Sequence, residues 1–79
     1  MIVRFKAGLR KRILSLPPET PCMVWYRHEG EKIVITDIRR AWAGEEAGDG
    51  MALVKSPSLL YGNRSSVDRW REAIKEAIR

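Results

Sequence analysis

Cysteine and histidine are the residue types best suited to act as nucleophile and base, and the chain has one of each, Cys22 and His28. They lie six residues apart in a β-rich stretch and point to the same side of a strand. At about 3.3 Å per residue that separates them by roughly 20 Å, far beyond the hydrogen-bond reach a nucleophile and its base require. A single cysteine allows no internal disulfide, and a single histidine beside it cannot close a Cys/His zinc site within one chain. Cys22 reads as a small buried residue and His28 as a turn residue in solvent.

The acids Glu45, Glu46 and Asp49, with Asp37 as a further neighbour, are the remaining candidates for holding a divalent cation. Their spacing does not match a calcium loop, and a glycine-rich acidic segment reads as a solvated turn. No phosphate-cradling glycine loop, serine elbow or histidine-containing metal motif is present. The expectation is therefore a non-enzymatic protein with no catalytic residue, metal or cofactor.

Cations beside aromatics form the richer pattern, in Arg39-Arg40-Ala41-Trp42, Arg69-Trp70-Arg71 and Trp25-Tyr26-Arg27-His28. Nucleic-acid binders combine cationic side chains that neutralise phosphates with flat rings that stack on bases. Trp70 falls on the apolar stripe of a helix and Trp25 opposite an isoleucine in a hairpin, so both read as core. Trp42 and Tyr26 are freer.

The net charge of +5 is unevenly spread. Residues 1–16 hold five bases (Arg4, Lys6, Arg10, Lys11 and Arg12) and no acid; residues 17–50 hold four bases and seven acids, and residues 51–79 six and three. Both ends are basic around an acidic middle. The N-terminal run reads either as a phosphate-contacting surface or as a solvated face.

These residues must be carried by a small framework. A chain of 79 residues makes one domain, and a domain of this size has no room for a deep internal site. No apolar run approaches the roughly 18 residues that span a bilayer, and the first five residues lead straight into charge, so a cytoplasmic protein is expected. Glutamine is absent and Asn63 is the only asparagine, whereas arginine and glutamate are plentiful, a bias of heat-adapted proteins, although GC-rich coding would give a similar arginine excess.

The strongest structural signal is residues 23–38, two β-rich runs joined at Arg27-His28-Glu29-Gly30. A type I turn closed by a glycine bulge would set Arg27 opposite Glu31, Trp25 opposite Ile33 and Met23 opposite Ile35, with Tyr26 and Val24 facing Lys32 and Val34 on the other side. Both faces then carry apolar residues and each needs a cover.

Before the hairpin, residues 2–6 alternate as a short strand. Leu9, Ile13 and Leu16 then fall on one helical stripe that Pro17 ends, predicting a helix over 7–16. The competing hairpin at Lys6-Ala7-Gly8 would set Arg4 opposite Arg10, a like-charge pair. After the hairpin, residues 44–50 read as a mobile loop and residues 51–55 as a strand, with a short edge at 59–61. Ser65 caps a helix over 66–79 whose apolar stripe is Val67, Trp70, Ile74, Ala77 and Ile78.

Leu14-Ser15-Leu16-Pro17-Pro18-Glu19, followed by a hairpin containing Glu29-Gly30-Glu31-Lys32-Ile33-Val34-Ile35, resembles the swapped-hairpin AbrB and MazE group of DNA-binding regulators and antitoxins. The resemblance covers about residues 14–38, under a third of the chain. It departs from the group at Ile13, where arginine is usual, and in nearly lacking the short helix between two hairpins. It implies a DNA-binding dimer with the basic N-terminal segment on the DNA and the C-terminal helix free to engage a partner.

The expected protein is thus α+β, a small antiparallel sheet centred on residues 23–38 with a short N-terminal helix and a C-terminal amphipathic helix. Its expected function is nucleic-acid binding, DNA or RNA, with Arg4, Lys6, Arg10, Lys11, Arg12, Arg39 and Arg40 on phosphates and Trp42 as a stacking surface. The alternative is a small interaction protein, antitoxin-like or phage-encoded, that forms a homodimer or binds a partner through Val24, Tyr26 and Val34.

Overall fold

The computed structural model describes residues 1–58 and 66–78. It contains β1 (Ile2–Phe5), α1 (Leu9–Ser15), β2 (Pro21–Glu29), β3 (Lys32–Arg40), β4 (Met51–Lys55) and α2 (Ser66–Ile78). The expected edge at residues 59–61 and the Ser65 cap lie outside the described residues. The class is α+β, as the patterning implies.

The four strands run in the order β1-β3-β2-β4. β2 pairs antiparallel with both β3 and β4, whereas β1 joins β3 in parallel, Val3 beside Ile33 and Phe5 beside Ile35. The sheet is therefore mixed, with β1 as a parallel edge added to the expected antiparallel unit. The chain reaches β2 through α1, so that β3 can return between β2 and β1.

The hairpin register differs from the glycine-bulge reading. Glu29 pairs with Lys32, leaving only Gly30 and Glu31 in the turn. Gly30 has φ 62°, and glycine with positive φ at the first turn position is the type II′ pattern, whose twist matches the flanking strands. The extra residue sits instead at Thr36, where Trp25 pairs with Asp37 and Tyr26 with Ile35. This bulge shifts the phase of β3, so that Ile33, Ile35 and Ile38 all enter the core at 2% exposure or less. Had the strand kept strict alternation, Ile38 would face away from it.

Both helices pack on the same face of the sheet. Leu9 and Ile13 of α1, Trp70 and Ile74 of α2, and Val3, Val24, Ile35 and Val54 of the strands belong to one apolar cluster. Burying each such large side chain is worth about 1.5–3 kcal/mol against leaving it exposed. Ala77, expected on the α2 stripe, is exposed, and Ala73 packs on the cluster in its place.

The expected covers for two faces thus serve one. The other face, Ile2 and Arg4 of β1, Val34 and Arg39 of β3, Met23 and Trp25 of β2, and Leu53 of β4, has no helix over it. The C-terminal helix that the AbrB and MazE resemblance leaves free is part of the core, through Trp70 and Ile74.

The Pro17–Thr20 connector is held by Ser56, which is only 3% exposed. The Ser56 hydroxyl donates to the Pro17 carbonyl at 2.6 Å and accepts the Thr20 N–H at 2.8 Å. Backbone bonds from Ser56 to Thr20 and from Glu19 to Ser56, both 2.9 Å, complete the clamp. It ties the end of α1 to the end of β4.

Candidate nucleic-acid interface

Arg4 lies in the edge strand β1, Lys6 directly follows that strand, and Arg10 stands on the first turn of α1 beyond. The glycine between them, Gly8, has φ 94°, a left-handed conformation that lets the chain turn from strand into helix within the three residues Lys6, Ala7 and Gly8. The tight turn brings Arg4, Lys6 and Arg10 to the rim of one groove of about 780 Å³, which also meets Arg71 and Lys75 of α2. Five cations from two distant parts of the sequence therefore share one concavity.

They are not equivalent. The Arg71 Nε donates to the Val3 carbonyl at 3.1 Å, its guanidinium lies 5.6 Å from the Phe5 ring centroid, and it pairs with Asp68 at 2.7 Å. Lys75 lies 3.8 Å from Glu72. These are helix-surface pairs one turn apart, worth a few tenths of a kcal/mol. Arg4, Lys6, Arg10 and Lys11 have no ion-pair partner among the described residues. Arg12, predicted with them, is committed elsewhere, paired with Asp37 and reaching the Ile38 carbonyl at 3.4 Å.

At the opposite end of the sheet, Arg39 makes a two-pronged ion pair with Glu45, 3.0 and 2.5 Å. Its guanidinium lies 5.1 Å from the ring centroids of both Trp25 and Trp42. Glu45 also accepts the Trp42 backbone N–H at 2.9 Å. The hydrogen bond from Arg39, and then that from Trp42, hold the Glu45 carboxyl below its usual range, while the same pairing raises Arg39. With Gly50 accepting the Tyr26 N–H at 2.9 Å, the loop expected to be mobile is anchored at both ends.

Trp42 itself is 70% exposed, and Arg40 is exposed. The predicted phosphate set is therefore split: Arg4, Lys6 and Arg10 meet at the groove, Lys11 stands exposed on α1, Arg12 is paired, and Arg39, Arg40 and Trp42 lie apart. Arg71 and Lys75 were missed by sequence reasoning. The register of α2 against β1 brings them in, and no local pattern reports it.

The predicted partner surface divides too. Val24 is fully buried under the helices, and Tyr26 is half-buried on the same side, its ring edge-on to His28 at 5.7 Å. Val34, half-buried, belongs to the uncovered face, because the register pairs it with Arg27 rather than Val24. Burial pushes the Cys22 thiol up, with Arg40 opposing. Among the described residues no group of three or more His, Cys, Asp or Glu is placed to hold a metal ion, and no helix is long and apolar enough to cross a membrane.

None of the known protein families, curated proteins or solved structures compared with the chain matches it.

Proposed function

We propose that this protein is a non-enzymatic nucleic-acid-binding protein whose phosphate contacts come from the groove beside β1. The observation that carries the reading is the convergence of Arg4, Lys6 and Arg10, none paired with an acid among the described residues, on a groove that Arg71 and Lys75 also line. Cations that share a concavity and are not neutralised internally raise the local potential and attract a polyanion. The ion pairs of Arg71 and Lys75 are exposed enough to exchange a carboxylate for a phosphate at little cost. Protein binding through Val24, Tyr26 and Val34 has less support, since Val24 is inside the core.

The test is fluorescence anisotropy of labelled oligonucleotides titrated across salt for the wild type and Arg4→Ala/Lys6→Ala/Arg10→Ala. Phosphate contacts release counterions, so log affinity falls linearly with log salt in proportion to their number. The triple variant is expected to bind at least about tenfold more weakly at low salt, with a slope shallower by about two. Wild type that binds no oligonucleotide at low salt, or a variant with an unchanged slope, refutes the proposal.

A further inference from the structure

The groove supplies contacts to a backbone but nothing for a base to rest on, whereas the neighbouring uncovered face of the sheet offers apolar surface. On that face Ile2 is 51% exposed and Leu53 42%, and Trp42 at its end is 70% exposed. Val34, Trp25 and Met51 are half-buried between them, and at the centre Met23 is fully buried, with the Arg39–Glu45 pair beside Trp25, so the open surface lies toward the two edge strands and at Trp42. Exposed apolar side chains set among cations are the material of a binding surface.

Its charge says what kind. The strands place Arg4, Arg27, Lys32, Arg39 and Lys55 on this face, interleaved with the apolar positions, with Glu29 and, opposite Trp25, Asp37 as its strand acids, Asp37 being paired with Arg12. Glu29 is already paired with Arg27, and the Arg39 charge is met by Glu45. Arg4, Lys32 and Lys55 remain without an ion-pair partner among the described residues. A second copy packed face to face would bring these like charges together, while an acidic protein would leave the rings and aliphatic side chains without matching surface.

Cations interleaved with apolar and aromatic side chains match a ligand that alternates phosphates with flat bases. In a duplex those base faces are hidden against one another, and only a single strand presents them. At about 4.8 Å between strands the sheet is roughly 14 Å across, enough for two or three bases. Arg4 belongs to both surfaces, lining the groove and standing beside Val34 on the face.

We infer that the uncovered face of the sheet is a stacking platform for single-stranded nucleic acid, continuous with the groove through Arg4. Trp42 stacks the outermost base and Leu53 packs against its neighbour. The Glu45 bonds to Arg39 and to the Trp42 backbone hold that ring in place. The inference rests on the nucleic-acid-binding reading and specifies its substrate class.

Binding of a labelled oligothymidylate single strand and of a duplex of the same length, followed by anisotropy and by tryptophan fluorescence, tests it on wild type, Trp42→Ala and Leu53→Asp. Both substituted side chains are exposed, so neither variant loses core packing. The single strand is expected to bind about tenfold more tightly than the duplex and to quench tryptophan emission. Each variant should lose about tenfold for the single strand and little for the duplex.

Equal or tighter duplex binding, or variants with undiminished single-strand affinity, overturns the platform and leaves the groove proposal standing. Failure of both probes to bind overturns both. A dimer in sedimentation that Leu53→Asp dissociates, without single-strand quenching, overturns the platform by showing that a second copy covers the face.

Discussion

Two arginine clusters that look alike in sequence have opposite fates in the fold. The Arg39 charge is closed off, its guanidinium 5.1 Å from the centroids of two indole rings and paired with Glu45, while the Trp42 ring itself stays open to solvent. Arg4, Lys6 and Arg10 stand around a groove with no acid among the described residues to meet them. The difference lies in the acid six residues after Arg39, which the intervening turn returns to it; residues 1–16 contain no acid at all. A cation beside an aromatic is thus not in itself a binding signal. Whether the chain supplies its own counter-charge decides it.

The comparison breaks most sharply if the two clusters are exchanged in their effects. Arg4→Ala/Lys6→Ala/Arg10→Ala should lose nucleic-acid affinity while keeping or slightly raising the thermal midpoint, since it removes unpaired like charges. Arg39→Ala should instead lower the midpoint and leave the salt slope of binding unchanged, because its charge is already neutralised by Glu45; the affinity it loses comes through the Trp42 ring it helps to hold. Thermal denaturation alongside salt-dependent anisotropy reads both. An Arg39 variant with a shallower slope shows that this cation contacts phosphate despite its internal partner, and that pairing with Glu45 does not withhold it.

Acid sharpens the same contrast. Glu45 has its carboxyl lowered by Arg39 and the Trp42 N–H, so its contribution to stability is present above the ordinary glutamate range and is lost as pH falls through the lowered value. Once the pH falls below the ordinary glutamate range and through that lowered value, the anchor should release, changing the environment of Trp25 and Trp42 before the core unfolds. Glu45→Gln should lose this early fluorescence change and begin close to the acid form. Identical acid titrations of wild type and Glu45→Gln show that the ion pair does not hold the loop.

Much of the framework was readable from pattern alone, and the misreadings have physical causes. Leu9, Ile13 and Leu16 give α1 its stripe, and Trp70 and Ile74 anchor α2, because helical periodicity is local. The hairpin register failed because Gly30 fits two turns, and the deciding feature lies at Thr36, well away from the turn. Its trace is visible in hindsight: apolar residues at 33, 35 and 38 break strict alternation by one residue. The placement of both helices on one face, and with it the convergence of Arg71 on Arg4, depends on β1 entering the sheet in parallel beside β3. No spacing within either segment encodes that pairing.

The smallest expected effect concerns Arg12, which sequence groups with Arg10 and the fold separates from it. Arg12 turns back toward β3 to pair with Asp37, at about half exposure on both partners. An exposed pair of this kind contributes under about 1 kcal/mol, so Arg12→Ala should cost the fold little. It should also cost binding little, because the charge it removes is already matched by a carboxylate. Arg10→Ala removes an unmatched charge and should reduce the salt slope by about one. Equal losses from the two single variants would mean that the Asp37 pair opens in the complex, and that internal pairing does not withhold a cation from this surface. Asp37→Ala then separates the two accounts: it increases affinity if Asp37 competes with phosphate for Arg12, and leaves it unchanged if Arg12 never reaches the nucleic acid.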